Sequence, residues 1–336
     1  MEQVLDSTIK FNPAPDVSVV IVSLNTLPYL RQAIENVSLG FKRHTAEIIV
    51  VDNGSKDGSV EYVSALPNVR LIANKENRGF AQANNQAFEI MRGTHCFLLN
   101  SDAFLHESCG DLLVDFMLEH PQVGLVVPTF EYLDGRWQPS FGTFPSIWES
   151  AQAVLGIEHL AYLYHATMDH WARGVVRPQR VDYGEGAGLL IHYEVLHSMG
   201  GFSSDYFCYS DDLDYGLRAA KAGWQTWWVP QARLTHIRGG SLTRKDYQAA
   251  LQTKVHSFIV FLACNYPAKE ARITYILRCL CIQRMYWAVH FLSLFPFIRQ
   301  KLNYRLEEYR IAKDVYWRYF PRKRFDALMH DLLCEE

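Results

Sequence analysis

Three apolar runs, each ending abruptly in a polar cluster, constrain this chain more than any other feature. Residues 17–24 are β-branched and nearly continuous and end at Asn25-Thr26, residues 47–51 end at Asp52-Asn53-Gly54-Ser55, and residues 95–99 end at Asn100-Ser101-Asp102. Continuous apolar strands of this kind belong in a parallel sheet covered on both faces. Between them the spacing predicts helices. Pro28 suits a first helical turn, and Leu30, Ile34 and Val37 share a face up to about Gly40. A short helix through Val60 and Val63 precedes a strand at residues 69–73, and Phe80, Ala83, Ala87 and Met91 recur at helical spacing after Gly79. Strands alternating with helices over short loops indicate an α/β fold with a Rossmann-like, mainly parallel sheet.

In an open parallel sheet, ligands bind at the carboxyl ends of the strands. Ser23 with Asn25, Asp52 with Asn53, and Asn100 with Asp102 would therefore converge on one crevice. Alone, Asn100-Ser101-Asp102 reads as a turn or a helix cap. As the last of three strand ends it makes Asp102 the centre of the expected site, a carboxylate held at the sheet rim as a metal ligand beside a substrate phosphate. No Gly-x-Gly-x-x-Gly follows the first strand and no Gly-x-x-x-x-Gly-Lys-Ser/Thr occurs, so a nucleotide must be held in another way.

Hydrophobic residues at 49% and charged residues at 21% over 336 positions describe a folded chain with room for more than one structural unit. Seven cysteines without a Cys-x-x-Cys pair give neither a disulfide framework nor a zinc spacing, and residues 1–10 lack the apolar core of a secretory signal. A reducing, cytoplasmic setting is expected.

The middle segment, residues 130–182, holds Trp137, Trp148 and Trp171 with few periodic runs; acceptor recognition and a satellite core are both open. His165, Asp169 and His170 match no usual zinc spacing and read as a solvated face. Gly184-Glu185-Gly186-Ala187-Gly188 then approaches an apolar strand, where missing side chains let a substrate near the backbone. Leu213, Leu217, Ala220 and Trp224 mark a helix with Ser210 as its N-cap and Gly223 as its stop. On that helix Asp212 and Asp214 flank the buried stripe and Asp211 points away from it. Acidic residues in a first turn complement the helix dipole, but a cluster beside a Gly-rich strand also suits a general base.

Residues 17–25, Val51-Asp52-Asn53-Gly54-Ser55, residues 77–85 (Asn77, Gly79, Phe80 and Asn84 among them) and Leu98-Leu99-Asn100-Ser101-Asp102 resemble, in order, the motifs of family 2 glycosyltransferases of the GT-A fold. They are most similar to the bacterial rhamnosyltransferase-like branch that builds surface polysaccharides. The resemblance implies a nucleotide-sugar site including Ser23, Asn25, Asp52, Asn53, Asn77, Gly79, Phe80, Asn84, Asn100 and Ser101, with Asp52 on the nucleobase. It implies a divalent cofactor, Mg2+ or Mn2+, on Asp102, although Asn100 stands where the family's Asp-x-Asp motif begins. Gly200-Gly201-Phe202, Asp211-Asp212 and Ala222-Gly223-Trp224 are similar to the family's second half, which makes Asp212 the catalytic base, with Asp211 replacing the usual Glu beside it. His236, within Leu234-Thr235-His236, resembles the histidine that can complete the metal site; a structural histidine is the other reading.

The tail differs in charge. Residues 269–324 carry thirteen Lys or Arg against four Asp or Glu, an excess of nine that leaves about −12 for the remainder of a chain at −3. Ile273, Ile276, Leu277 and Leu280 lie at helical spacing, and the apolar run at residues 285–298 is too short for the roughly twenty residues that span a bilayer. A basic amphipathic region on the inner face of the cell membrane is expected, with a packed helical cap and an oligomer interface as alternatives. The expected layout is a leader at 1–15, a catalytic domain at 16–245 with a nucleotide-sugar half at 16–105 and an acceptor half at 130–242, and a helical region at 246–336. The expected activity is metal-dependent, inverting transfer of a sugar, dTDP-rhamnose favoured as donor, to a saccharide or lipid-linked acceptor in O-antigen- or capsule-type synthesis, with no nucleic-acid partner. A sugar nucleotidyltransferase would want a basic phosphate loop after the first strand, and a carbohydrate-binding scaffold would not need the acidic clusters.

Overall fold

The computed structural model describes residues 14–157, 177–237 and 244–319. His165, Asp169, His170 and Trp171 lie outside the described residues, as do Met1, Gly239-Gly240-Ser241 and the last basic residues, Arg322, Lys323 and Arg324.

The first three apolar runs form β1 (Val17–Ser23), β2 (Ala46–Asp52) and β4 (His95–Asn100), with β3 (Val69–Ala73) outside β2. The sheet runs β3-β2-β1-β4 and all four strands are parallel. The register sets Ser23 opposite Asp52 and Val22 opposite Asn100, so the three polar ends lie side by side at one rim. Helices α1 (Leu27–Gly40), α2 (Ser59–Ser64) and α3 (Gly79–Phe88) make the crossovers. Leu30, Ala33, Ile34 and Val37 are the buried face of α1, as their spacing requires.

Beyond β4 the sheet becomes mixed. It continues through β11 (Gly188–His192), antiparallel to both β4 and β6 (Val123–Glu131), then through β12 (Gln225–His236), parallel to β6. The short β5 (Ala103–Leu105) closes the edge antiparallel to β12. Further short strands are β7 (Trp137–Gln138) on β6, β9 (Gln179–Val181) on β12, and the pair β8 (Phe141–Gly142) and β10 (Tyr183–Gly184). Helices α4 (Cys109–Glu119), α5 (Ile147–Leu155), α6 (Tyr193–Met199) and α7 (Asp211–Lys221) complete this part. Gly223, at φ 93°, follows the end of α7. Ser210 holds the N-cap position in a left-handed conformation, but its side chain makes no capping bond.

Three helices follow, α8 (Arg244–Asn265), α9 (Ala268–Leu292) and α10 (Pro296–Arg318). They form a second core, in which Val255, Phe258, Ile259 and Phe261 of α8, Tyr275 of α9 and Val315 of α10 enclose Tyr206 and Leu213 at the start of α7. A helical cap on the sheet is thus part of the architecture. This second core corrects the expectation for Asp211. It is 3% exposed because α7 is covered on both sides, whereas a helical wheel for a surface helix leaves its second face to water. On α9 the side chains buried in this core include Ala271, Thr274, Tyr275 and Cys279, with the Tyr275 hydroxyl donating to Tyr316 O at 2.7 Å, while Ile273, Ile276, Leu277 and Leu280 lie outside that face.

The two halves of the sheet are joined at Gly79. Its φ is 83°, and the Phe80 N–H donates to the carbonyl of Phe207 at 2.8 Å. A Cβ at position 79 would overlap that carbonyl oxygen, so glycine is required by backbone conformation and by space. Gly79→Ala should destabilise the fold by about 1–3 kcal/mol, read as a lower urea midpoint at unchanged slope. An unchanged midpoint would mean that this contact does not hold the halves together.

Candidate active site

The rim of β1, β2 and β4 is fixed by hydrogen bonds among the polar residues that end the strands. Asn25, in the left-handed region at φ 53°, donates its N–H to Ser55 Oγ at 2.8 Å and accepts the Lys56 N–H on Oδ1 at 2.8 Å. Asp57 accepts the N–H of Leu27 at the start of α1. Ser23, Thr26 and Ser101 form a buried hydroxyl chain with links of 3.0 and 2.9 Å, tying the end of β1 to the loop that carries Asp102. Ser23 and Ser101 therefore position that loop through paired hydroxyls.

Asp52 is 1% exposed and folds its Oδ1 onto the N–H groups of Gly54 and Ser55 at 3.0 and 2.7 Å. Its Oδ2 is buried without a partner. A buried carboxylate oxygen left unpaired is costly, so it marks a place where a ligand N–H fits. The Asn53 side chain is bonded within the protein. Its Nδ2 donates to Gly79 O at 3.1 Å and its Oδ1 accepts from Asn74, which exchanges bonds with Gln86 of α3.

The asparagine-rich stretch at the start of α3 acts as a clasp. Asn77 Oδ1 accepts the Gly79 N–H at 2.9 Å, and Asn84 Nδ2 donates to Phe80 O at 2.9 Å. Asn85 reaches across to the backbone of Phe202, donating to its carbonyl at 2.8 Å and accepting its N–H at 2.9 Å. The Phe202 ring packs between Phe88 of α3 and Tyr215 of α7 at 5.9 and 5.0 Å. Asn77, Gly79, Phe80 and Asn84 thus hold the turn that delivers Asp211 and Asp212. Just before that pair, Tyr209 and Ser210 have φ 69° and 59°, two successive non-glycine residues in the left-handed region. Such strain persists where surrounding contacts over-determine it.

One loop touches both acidic clusters. Asn100 donates its N–H to Ala187 O at 3.0 Å, and Gly186 donates its own to Asp212 Oδ2 at 3.1 Å. A Cβ on Gly186 would lie 3.2 Å from the Phe80 ring, so a side chain there would crowd the cleft where Phe80 and Asp212 meet. Asp212 keeps partial solvent access while Asp211 is buried behind it, with Oδ2 unpaired. Burial raises both carboxyls above the ordinary range; the charge of Asp212 raises Asp211 further, and the Gly186 N–H and Lys254 of α8 pull Asp212 back. Asp214 has a different place. Its Oδ2 binds Arg218 Nε at 2.7 Å and its Oδ1 accepts from Asn265 at 3.1 Å, so its charge is compensated and it fastens α7 to α8.

At the other end of the cleft, pairing of His236 with Ala103 across β12 and β5 sets Asp102 beside the imidazole. His236 Nε2 lies 3.5 Å from Asp102 Oδ1 and 3.4 Å from Asn100 Nδ2, and both Asp102 and His236 are buried. His236 Nδ1 is 2.9 Å from Gln138 Oε1 of β7, and Phe130 packs edge-on at 5.7 Å. With Nδ1–H donating to that carbonyl, Nε2 keeps its lone pair toward Asp102, the arrangement in which a second residue orients a metal-binding histidine. One carboxylate and one imidazole nitrogen this close are residues that could hold a divalent ion between them. Among the described residues no group of three or more His, Cys, Asp or Glu could hold a metal. Gln138, Asn85, Thr26 and Lys254 did not stand out in the sequence. Asn85 alone carried a signal, as the last position of the asparagine motif.

Residues 18–171 match the family model described as glycosyl transferase family 2, and residues 95–321 that described as glycosyl transferase family group 2. Over 73% of its length the chain is 29% identical to the N-acetylglucosaminyl-diphospho-decaprenol L-rhamnosyltransferase of Mycobacterium tuberculosis, covering 83% of that protein. Over 26% of either chain it is 38% identical to a succinoglycan biosynthesis protein of Rhizobium meliloti. In fold it is similar to a mannosyltransferase of Pyrobaculum calidifontis solved with GDP-Man and Mn2+, with a TM-score of 0.56 at 16% identity over 93% of this chain and 89% of that one. The arrangement of the sheet and its flanking helices is the GT-A one.

The buried Asp211 gives a pH signature. Its carboxyl is raised on folding, so its contribution to stability is fully present below the ordinary carboxylate pKa and is lost as pH rises through the raised one. Asp211→Asn should then be more stable than the parent at pH 7–8 by about 1 kcal/mol or more, with the difference closing near pH 4, as urea titrations at several pH values would show. A loss of stability at every pH would mean that the carboxylate is satisfied in the folded chain.

Proposed function

The chain is a family 2 glycosyltransferase, and we propose that it moves L-rhamnose from dTDP-rhamnose to a saccharide or lipid-linked saccharide acceptor, with inversion, during synthesis of a bacterial surface polysaccharide. The observation that carries the mechanism is the bridging loop, in which Ala187 binds Asn100 and Gly186 binds Asp212. It makes the two acidic clusters walls of one cleft. The choice of sugar rests on similarity to the mycobacterial rhamnosyltransferase.

In this reading the unpaired Asp52 Oδ2 receives an N–H of the nucleobase. Asp102 and His236 would hold a Mg2+ or Mn2+ ion, whose positive charge would neutralise the leaving nucleoside diphosphate. Mn2+ also accompanies the nucleotide in both the archaeal mannosyltransferase and GalNAc-T7, a second GT-A neighbour with a TM-score of 0.53 over 74% of this chain and 48% of that one. The acceptor hydroxyl attacks the anomeric carbon from the face opposite the diphosphate. The new C–O bond forms as the bond to the diphosphate breaks, and the hydroxyl proton passes to the Asp212 carboxylate. A raised pKa brings Asp212 closer to the working pH and makes it a stronger base than a solvated aspartate. Asp211 acts as the buried partner of that base.

Asp212→Asn should lower transfer by about 100- to 10,000-fold and leave donor binding within about threefold of the parent. Asp102→Asn should instead abolish the metal-dependent part of donor affinity. Nucleotide-sugar binding by calorimetry, with turnover across a panel of donors scored for nucleoside diphosphate release, tests both. Equal loss of donor binding in Asp212→Asn would remove it as the base, and release of pyrophosphate would place the chain among nucleotidyltransferases.

A further inference from the structure

The C-terminal helices cover the start of α7, yet among the described residues the ends of α5 and α9 keep large apolar side chains exposed. Of the fifteen large apolar side chains exposed among the described residues, ten lie on or beside α5 and α9, so the exposure is concentrated. Arg284 of α9 joins the two helices, donating from Nη2 to Ala153 O of α5 at 3.0 Å. Trp287 and Phe291 follow Arg284 by three and seven residues and share its face of the helix. Phe291 stands edge-on to Phe295 at 6.0 Å, in the turn before α10. Leu155 at the end of α5 is 73% exposed, Leu294 64%, Phe291 61% and Trp287 56%.

The sequence that runs through this corner carries charge of one sign. The 36 consecutive residues 271–306 contain six Arg or Lys (Arg272, Arg278, Arg284, Arg299, Lys301 and Arg305) and no Asp or Glu. Tyr286 adds a ring stacked on His290 and capped by the Lys313 ammonium at 4.3 Å. Exposed aromatic and aliphatic tips within a stretch of sequence whose charges are all positive suit the headgroup region of an anionic bilayer, where apolar tips enter the acyl boundary and cations meet phosphates. No described helix is long and apolar enough to cross a membrane.

We propose that the corner formed by the end of α5, the end of α9 and the turn after α9 inserts into the surface of an anionic lipid bilayer. The same helix links this surface to the cleft. Tyr275 and Cys279 of α9 share the second core with Leu213 of α7, the residue after Asp212, and Tyr183 packs against that core. From Arg278 to Phe291 is a span of roughly 20 Å along α9. If Asp212 is the base and the acceptor is lipid-linked, as proposed above, α9 sets the height of the cleft over the bilayer. Only this last point rests on that reading.

The test uses the full chain, sedimented with vesicles of phosphatidylcholine alone or mixed with phosphatidylglycerol, beside a Trp287→Ser/Phe291→Ser/Leu294→Ser variant. The parent should co-sediment with the anionic vesicles, less so at high salt. The variant should partition about tenfold less well, with an unchanged urea midpoint and unchanged donor hydrolysis in solution. Failure of the parent to sediment, or equal binding by the variant, would overturn the proposal. So would a dimeric parent whose variant is monomeric by light scattering, since the corner would then be an interface between copies. Vesicle binding by a chain that transfers no sugar would uphold this surface while overturning the proposed function.

Discussion

The hydrogen bond from Phe80 N–H to the Phe207 carbonyl, made possible by a left-handed Gly79, is the contact on which the cleft depends. It joins the first turn of α3, which belongs to the parallel half of the sheet, to the segment that leads into α7. Asn85 and the Phe202 ring reinforce it on one side, and Arg218 does so on the other by donating to Gly201 O at 3.0 Å. With these contacts in place, Tyr209 and Ser210 can be held in an unfavourable backbone conformation, and Asp211 and Asp212 enter the cleft at a fixed angle. The strained turn and the asparagine motif are two parts of one device.

The cleft separates two kinds of acidic group by their surroundings. Asp52 and Asp214 have their charge absorbed by backbone N–H groups or by Arg218, so they work as fixed acceptors. Asp211 and Asp212 are crowded together, and burial pushes both toward the protonated form, opposed at Asp212 by the Gly186 N–H and Lys254. Two carboxyls in such different settings can serve binding and proton transfer within one cleft. The acidic residues of the rim and the excess of Lys and Arg in residues 269–324 lie in different parts of the sequence.

The parallel half of the sheet was legible in the sequence because its signals are local. β3 spans residues 69–73 as its apolar pattern requires, and α1 ends at Gly40 where its stripe ends. The convergence of Ser23, Asp52 and Asn100 followed from strand direction alone. Residue patterning was mute where placement depends on distant pairing, and His236 was expected beside Asp102 only through the family resemblance. The approach of His236 to Asp102 needs β5 and β12 to meet, and Gln138 reaches His236 only because β7 folds back on β6. The strands after β4 carry no alternation that sets their order. Asp211 was misplaced because helical periodicity describes one buried face, whereas α7 is packed on more than one.

The central claim is a division of labour, in which Asp102 and His236 anchor the donor and Asp212 deprotonates a nucleophile on the opposite face of the sugar. Proton NMR of donor turnover, read before the released or transferred sugar equilibrates, tests it most directly. The account predicts a first-formed anomer of configuration opposite to that in the nucleotide sugar. A product that retains the donor's configuration would contradict it, because a single displacement assisted by Asp212 cannot give that result.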